Sequence, residues 1–196
     1  MSDLALLGAR VVVGGYVAAH GAQKLFGAFG GHGIEGTGGF FESLGLTPGK
    51  RMAVTAGTSE LGGGVLTAAG LAHPVGPLAI ASTMGVAAAT AHRRKGAFSA
   101  TGGPELPLTN LAAAAALAAA GTGRYSLDRL LGVRAPSRVV RFTLLASAVA
   151  GAVTTARAFA ASRRPSEPQP ADDDLVVDLT AEDSGRHVVE AVEHPV

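Results

Sequence analysis

The stretch that decides the fold is Tyr16-Val-Ala-Ala-His20-Gly21-Ala-Gln-Lys24-Leu-Phe26-Gly27, which closes a long apolar run beginning at Leu4. In a helix Tyr16, His20 and Lys24 are spaced i, i+4 and i+8, so they form one polar stripe on an otherwise apolar rod. Ionisable side chains are costly inside a membrane and generally face a helical bundle or a wet cavity. The stretch therefore predicts a membrane helix whose polar stripe meets other helices.

The composition is typical of a membrane protein. Of the 196 residues, 47% are hydrophobic and 16% are charged, whereas a typical soluble domain is about 25% charged. The chain has no cysteine, which excludes thiol catalysis, disulfide relays, Cys-ligated iron–sulfur clusters and c-type haem carried by this chain. The first apolar run has no basic segment before it and is too long for a signal peptide, so we expect it to be retained.

Five apolar runs predict an all-α polytopic membrane protein. The predicted spans are residues 4–26, 52–71, 75–92, 104–120 and 139–161. At a rise of about 1.5 Å per residue, the first is long enough to cross a hydrocarbon core of about 30 Å. In the second, Gly57, Glu60 and Gly64 share one face, which predicts close contact with a neighbouring helix. Glycine clusters at 30–33 and 36–39 are expected to break regular structure before a short interfacial helix at 40–46.

The chain divides into three predicted parts. Residues 1–132 form a four-helix transmembrane bundle, residues 133–162 a connector and fifth transmembrane helix, and residues 163–196 a disordered acidic cytoplasmic tail. Nine of the fifteen acidic residues lie after residue 166, whereas fifteen of the sixteen Lys and Arg precede it. These basic residues lie in short connectors and form no stripe with aromatic residues, so we expect membrane lipid rather than nucleic acid as a partner.

Polar residues from four spans are expected to gather near one membrane face. Consecutive spans alternate in direction, which places His20 and Glu60 about 10 Å below the same surface. Nothing comparable is expected at the other face. The loops at the clustered face carry more Lys and Arg, which puts that face and the tail in the cytoplasm and the N-terminus outside the cell membrane. The candidate ligand-binding residues are His20, Lys24, Glu60, His92, Glu105 and Asn110.

This cluster has structural and functional interpretations. Glu60 can pair with Lys24 or His20 and so hold the bundle in register. Glu105 can simply begin a helix, and Asn110 can bond between helices. No paired metal-ligand motif is present, so we predict no metal. The functional alternative is a site for a quinone or another small apolar redox molecule, because a histidine and a carboxylate can bind its carbonyl and transfer protons. Electrons would then come from a partner.

Four motifs, in order, resemble those of the DoxX family. They are His20-Gly21-x-x-Lys24-Leu-Phe-Gly27, Gly39-Phe40-Phe41 with Leu44-Gly45-Leu46, Glu60-Leu61-Gly62-Gly63, and Gly121-x-Gly123-x-Tyr125-Ser126-Leu127-Asp128. The resemblance covers roughly residues 4–132, and Thr122 stands where the family pattern has proline. It implies a four-helix bundle in the cytoplasmic membrane, with a polar core formed by His20, Lys24, Glu60, His92 and Glu105. The fifth span and the tail fall outside the family's core.

The resemblance also implies a redox setting. Members of the family include a subunit of a thiosulfate:quinone oxidoreductase, and actinobacterial members resemble membrane components of a complex with a superoxide dismutase and a thiosulfate sulfurtransferase. Two functions follow for this chain. One is a redox-associated membrane subunit that binds quinone, with soluble redox proteins or other membrane subunits as partners and no covalent cofactor. The other is a non-catalytic scaffold that recruits soluble partners through its loops and tail. No catalytic residue is assigned.

Overall fold

The computed structural model describes residues 2–92, 95–133 and 135–161, and every regular element within them is helical. This confirms the all-α prediction for the described part of the chain. The predicted acidic tail at 163–196 lies outside the described residues. The helices are α1 (Asp3–Phe26), α2 (Gly33–Ser43), α3 (Gly49–Ala69), α4 (Val75–Ala89), α5 (Glu105–Ala120), α6 (Leu127–Leu131) and α7 (Ser137–Ala161).

Helices α1, α3, α4 and α5 form a closed ring. Helix α1 packs on α3, α3 on α4, α4 on α5, and α5 again contacts α1. The buried side chains of Val17, Ile80, Met84 and Ala114 meet at the centre of this ring, with Leu111 packed against them. Lipid is as apolar as these side chains, so helix association in a membrane depends on close packing of this kind.

Glycines bring α1 and α3 into backbone contact. A Cβ added to Gly14 would lie 2.5 Å from the carbonyl oxygen of Gly64, and one added to Gly64 would lie 2.5 Å from the Ala18 nitrogen. Further along, Gly21 meets Gly57. Because rising numbers on α1 face falling numbers on α3, the two helices are antiparallel. The small-residue face predicted on α3 is confirmed.

The ends of α1 follow local chemistry. The Ser2 hydroxyl accepts a hydrogen bond from the Ala5 nitrogen at 3.2 Å, which satisfies one of the free N–H groups of the first turn. Gly27 ends the helix in the left-handed conformation, at φ 69°, which glycine adopts without a Cβ penalty. The predicted bounds of the first helix, 4–26, therefore agree with α1 to within one residue.

The expectation that glycines 36–39 break regular structure was wrong, because these residues lie within α2. The physical reason is a tertiary contact, which the helix propensities of the residues do not reflect. Gly38 packs against the start of α3, where an added Cβ would lie 3.0 Å from the Lys50 nitrogen. The Glu42 carboxylate also accepts a hydrogen bond from the Gly49 nitrogen at 3.0 Å, which caps α3.

Among the described residues, two helices, α1 and α7, are long and apolar enough to cross a membrane, judged by length and composition. Helices α4 and α5 are apolar but have only 15 and 16 residues, which is about 22–24 Å at 1.5 Å per residue. Helix α7 packs against α4 and exposes large apolar side chains, among them Phe142 (72% exposed) and Leu145 (65%). The five-span topology itself stays a prediction.

Candidate functional site

An ion pair joins α1 to α3 in the half of the bundle where α1 ends. The Lys24 ammonium contacts the Glu60 carboxylate. The side chain of Glu60 is 3% exposed and that of Lys24 is 24% exposed, so the carboxylate is enclosed while the ammonium reaches the surface. Gly57 leaves room for the end of α1, since a Cβ at this position would lie 2.7 Å from Leu25 Cγ and 3.3 Å from Lys24 Cβ. This pair is the centre of the candidate site.

His20 lies on the same face of α1, one turn before Lys24. It is half-buried and close enough to Glu60 for their charges to interact. The ring of Tyr16 meets the His20 ring edge-on, with centroids 5.4 Å apart and planes at 64°. The structure therefore brings together three of the six predicted residues, His20, Lys24 and Glu60.

The remaining three predicted residues lie on α5 or in the loop between α4 and α5. His92 lies in the turn after α4, and its Nδ1 is 2.7 Å from the carbonyl oxygen of Gly102. Glu105 begins α5 and accepts a hydrogen bond from the Ser99 nitrogen at 2.8 Å. Asn110 is half-buried on α5. The hydrogen bonds of His92 and Glu105 both stabilise the loop between α4 and α5, and neither connects that loop to Glu60.

Sequence reasoning missed a polar link from α3 to α4 beside Glu60. The Thr83 hydroxyl donates a hydrogen bond to the Ser59 hydroxyl at 3.0 Å. Ser59 precedes Glu60 in α3 and points about 100° away from it around the helix, so this bond ties α3 to α4 at the level of the ion pair without joining it. The sequence alone does not predict this contact, because a single threonine in an Ala-rich helix can bond to many different partners.

The expectation that the other face holds nothing comparable was wrong. Arg10 in α1 is buried, with 2% of its surface exposed, and its guanidinium donates to the Tyr125 carbonyl oxygen. Nearby, Asp128 accepts hydrogen bonds from the backbone nitrogens of Ala72 at 2.8 Å and His73 at 2.9 Å. Two polar groups therefore lie at opposite ends of the bundle.

A short helix, α6, supports this second group. The Ser126 hydroxyl caps α6 by accepting from the Arg129 nitrogen at 3.3 Å, and the Asp128 nitrogen donates to the Gly70 carbonyl oxygen at 3.0 Å. An arginine inside the first apolar run and the Tyr-Ser-Leu-Asp motif at 125–128 were the available signals. They are more than a hundred residues apart, and only the fold brings them together.

His73 lies outside the helices, in the turn between α3 and α4. Burial lowers the pKa of His73, against the opposing effects of the Ala118 carbonyl and the Asp128 carboxylate. Its Nε2 is 3.1 Å from that Ala118 oxygen. The His73 ring thus links the turn to the end of α5. Burial favours the neutral form of this ring.

In the described residues, no group of three or more His, Asp or Glu side chains is arranged to hold a metal ion. The side chains of the Lys24 site are themselves capable of hydrogen bonding and proton transfer. A buried carboxylate, an ammonium and an imidazole can exchange protons with a bound oxygen atom.

The apolar exposed helices and the glycine-packed ring form a helical bundle and indicate a membrane protein. Residues 5–93, just under half of the chain, match the DoxX family model, which confirms the resemblance over those residues and supports a DoxX family protein. The match spans α1 to α4, while α5, α7 and the motif at 121–128 lie beyond it. No curated protein and no solved structure matches the chain.

Proposed function

We propose that this protein is a membrane subunit of a redox-associated complex and binds a quinone, or a similar small apolar redox molecule, beside Lys24 and Glu60. The observation that carries this proposal is the enclosed carboxylate of Glu60 paired with a partly exposed ammonium. Charged groups are costly inside a membrane bundle, and a functional site is the default explanation for them.

The residues present fit a quinone. A quinone carbonyl needs a hydrogen-bond donor, and the Lys24 ammonium and the His20 ring supply donors on one face of α1. A quinone ring and tail need an apolar surface open to lipid. Tyr16 and Phe26 provide it, because they are 62% and 72% exposed on the same helix.

The chain's own residues would bind the ligand and move protons. Lys24 would orient a carbonyl oxygen, while Glu60 and His20 would hold protons next to it. A bound quinone would supply two-electron redox chemistry, with the electrons delivered by a partner. The partners proposed are soluble redox proteins, other membrane subunits and the surrounding lipid. The proposed location is the cell membrane, with the Lys24 end and the tail in the cytoplasm and the N-terminus outside.

The alternative function is a non-catalytic scaffold. It is favoured by the way in which the Lys24–Glu60 pair closes the α1–α3 interface, since such a pair can fix helix register without any chemistry. Loops and the acidic tail would then recruit soluble proteins.

Glu60→Gln separates the two functions. The purified full chain in mild detergent is titrated with a short-chain quinone, and folding is followed by thermal unfolding. Redox binding predicts that the Glu60→Gln protein stays folded and binds quinone at least tenfold more weakly. The control Glu35→Gln removes a carboxylate whose side chain is 76% exposed in its pair with Lys50, and it should bind as the unaltered protein does. Equal binding by both variants would favour the scaffold.

A further inference from the structure

Two loops at the Lys24 end of the bundle each hold a phenyl ring clear of the protein. Phe29 lies between α1 and α2 and is 76% exposed, and Phe98 lies between α4 and α5 and is 68% exposed. Both loops lie at the same end, because α1 and α4 each run antiparallel to α3. Neither ring belongs to the Lys24 site or to the buried core, so the two rings need an explanation of their own.

The backbone of Phe29 is held in an unfavourable conformation. Its dihedral angles are φ 51° and ψ 36°, a left-handed conformation that a bulky residue adopts only where the surrounding structure fixes it. The Gln23 side chain does so, because its Nε2 donates a hydrogen bond to the Phe29 carbonyl oxygen at 3.4 Å. Gly31 also packs on Gln23 so closely that an added Cβ would lie 2.5 Å from Gln23 Cβ. The loop therefore presents the Phe29 ring at a fixed position.

Hydrogen bonds within the α4–α5 loop hold Phe98 in a similar way. The Phe98 carbonyl oxygen accepts a hydrogen bond from the Gly103 nitrogen at 2.9 Å. The Thr101 hydroxyl donates to the Lys95 carbonyl oxygen at 2.7 Å. Irregular backbone close to lipid needs internal partners of this kind, because hydrocarbon offers none.

The lengths of the helices place both loops near the edge of a hydrocarbon core of about 30 Å. The 24 residues of α1 span about 36 Å, so α1 carries Phe29 just past that edge. The 15 and 16 residues of α4 and α5 span only about 22–24 Å. The loop that joins these two helices, with Phe98, therefore lies at the edge of the core or slightly within it.

The exposed face of α1 leads directly to Phe29. Val12 and Phe26 are both exposed on this face, about four turns apart, and Phe29 follows in the next loop. An exposed apolar surface of this extent marks a site of protein or membrane interaction. Its continuity with a helix long enough to cross a membrane favours the membrane.

We propose that Phe29 and Phe98 are anchors that insert into the bilayer interface, where the phospholipid headgroups meet the acyl chains. Apolar side chains of interfacial segments lie about 5–10 Å into this boundary, and their removal from water is favourable. Because both loops are fixed to helix ends, the two anchors set the depth of α1 and α4 in the bilayer. They thereby hold the Lys24 ammonium at the level of the headgroups.

Single tryptophans test this proposal, because the chain has none of its own. Full-length Phe29→Trp and Phe98→Trp proteins are reconstituted in phosphatidylcholine vesicles whose acyl chains carry bromine either near the headgroup or near the chain ends. The shallow bromines should quench the fluorescence of both variants more strongly than the deep bromines. Val12→Trp, near the middle of α1, should show the reverse order, and Glu35→Trp, at an exposed ion pair, should be quenched by neither.

Quenching of Phe29→Trp and Phe98→Trp by aqueous iodide, but by neither brominated lipid, would overturn the proposal and indicate a protein partner instead. A second measurement tests whether the anchors set the depth of α1. When Phe29→Ser and Phe98→Ser are added to Val12→Trp, the ratio of deep to shallow quenching should change at least twofold. An unchanged ratio would contradict the anchoring role. All these substitutions are at exposed side chains, so the fold should be kept.

Discussion

Lys24 in the last turn of α1 pairs with Glu60 of α3 at the point where Gly57 lets the two helices approach. The absence of a side chain at Gly57 therefore allows the charged contact between Lys24 and Glu60. The glycines bring the backbones together, and the ion pair places two ionisable groups where the exposed surface of α1 meets the bundle.

Removing one partner of this pair should destabilise the bundle. Lys24→Met leaves the Glu60 carboxylate enclosed without its cation, which should lower the unfolding free energy by up to about 3–5 kcal/mol. The loss should be smaller than this upper value, because Lys24 is 24% exposed and solvent screens part of the interaction. The double variant Lys24→Met, Glu60→Leu should recover most of the loss. Unfolding in detergent micelles measures both. A double variant as unstable as the single one would show that the pair is not the cause.

The α1–α3 glycines should tolerate no methyl group. Gly14→Ala puts a Cβ 2.5 Å from the Gly64 carbonyl oxygen and should cost about 1–3 kcal/mol through overpacking. Its neighbour Gly15 has nothing within 4 Å of an added Cβ, so Gly15→Ala should be neutral or stabilise by up to about 1 kcal/mol. The same unfolding measurement compares them, and equal effects would refute backbone contact at Gly14.

His73 should make stability depend on pH. Burial lowers its pKa in the folded state, so the unfolded state binds more protons just below the ordinary histidine pKa of about 6.5. The stabilising contribution is then complete above about pH 6.5 and is lost as the pH falls toward the lowered folded pKa.

The check is unfolding free energy measured between pH 5 and 8. His73→Asn should reduce the rise of the unfolding free energy with pH. His32→Asn, at an exposed residue, should leave the slope as it is in the unaltered protein. An unchanged slope in His73→Asn would rule out this histidine as the source.

Membrane topology can be tested with single cysteines, since the chain has none of its own. Ala100 precedes α5 and Leu130 follows it, and both are exposed. With the proposed orientation, a membrane-impermeant maleimide applied to intact cells should label Leu130→Cys and should label Ala100→Cys only after lysis. Labelling of both from outside would mean that the 16-residue α5 does not cross, and the reverse pattern would invert the orientation.

Local sequence signals predicted the long helices well. An apolar run ended by Gly27 sufficed for α1, and proline and glutamate at 104–105 sufficed for the start of α5. Local signals failed where a distant partner decides the structure. The glycines of α2 become helical against the start of α3, and Arg10 finds its acceptor 115 residues away at Tyr125.

In the candidate site, too, the features that depend on local sequence were predicted and those that depend on helix ends were not. The spacing of His20 and Lys24 and the small-residue face around Glu60 were visible in the sequence, and the structure joins them. Helix ends are harder to predict in Ala-rich sequence. Because α4 ends at Ala89, His92 lies in a turn and bonds to Gly102.

The most direct measurement of the proposed redox site is photolabelling of the full chain with an azido-quinone, followed by peptide mapping. The account predicts labelled residues between Tyr16 and Phe26 on α1 and next to Glu60 on α3, with labelling suppressed by excess quinone and reduced in Glu60→Gln. Labelling confined to other helices, or unchanged in Glu60→Gln, would contradict it.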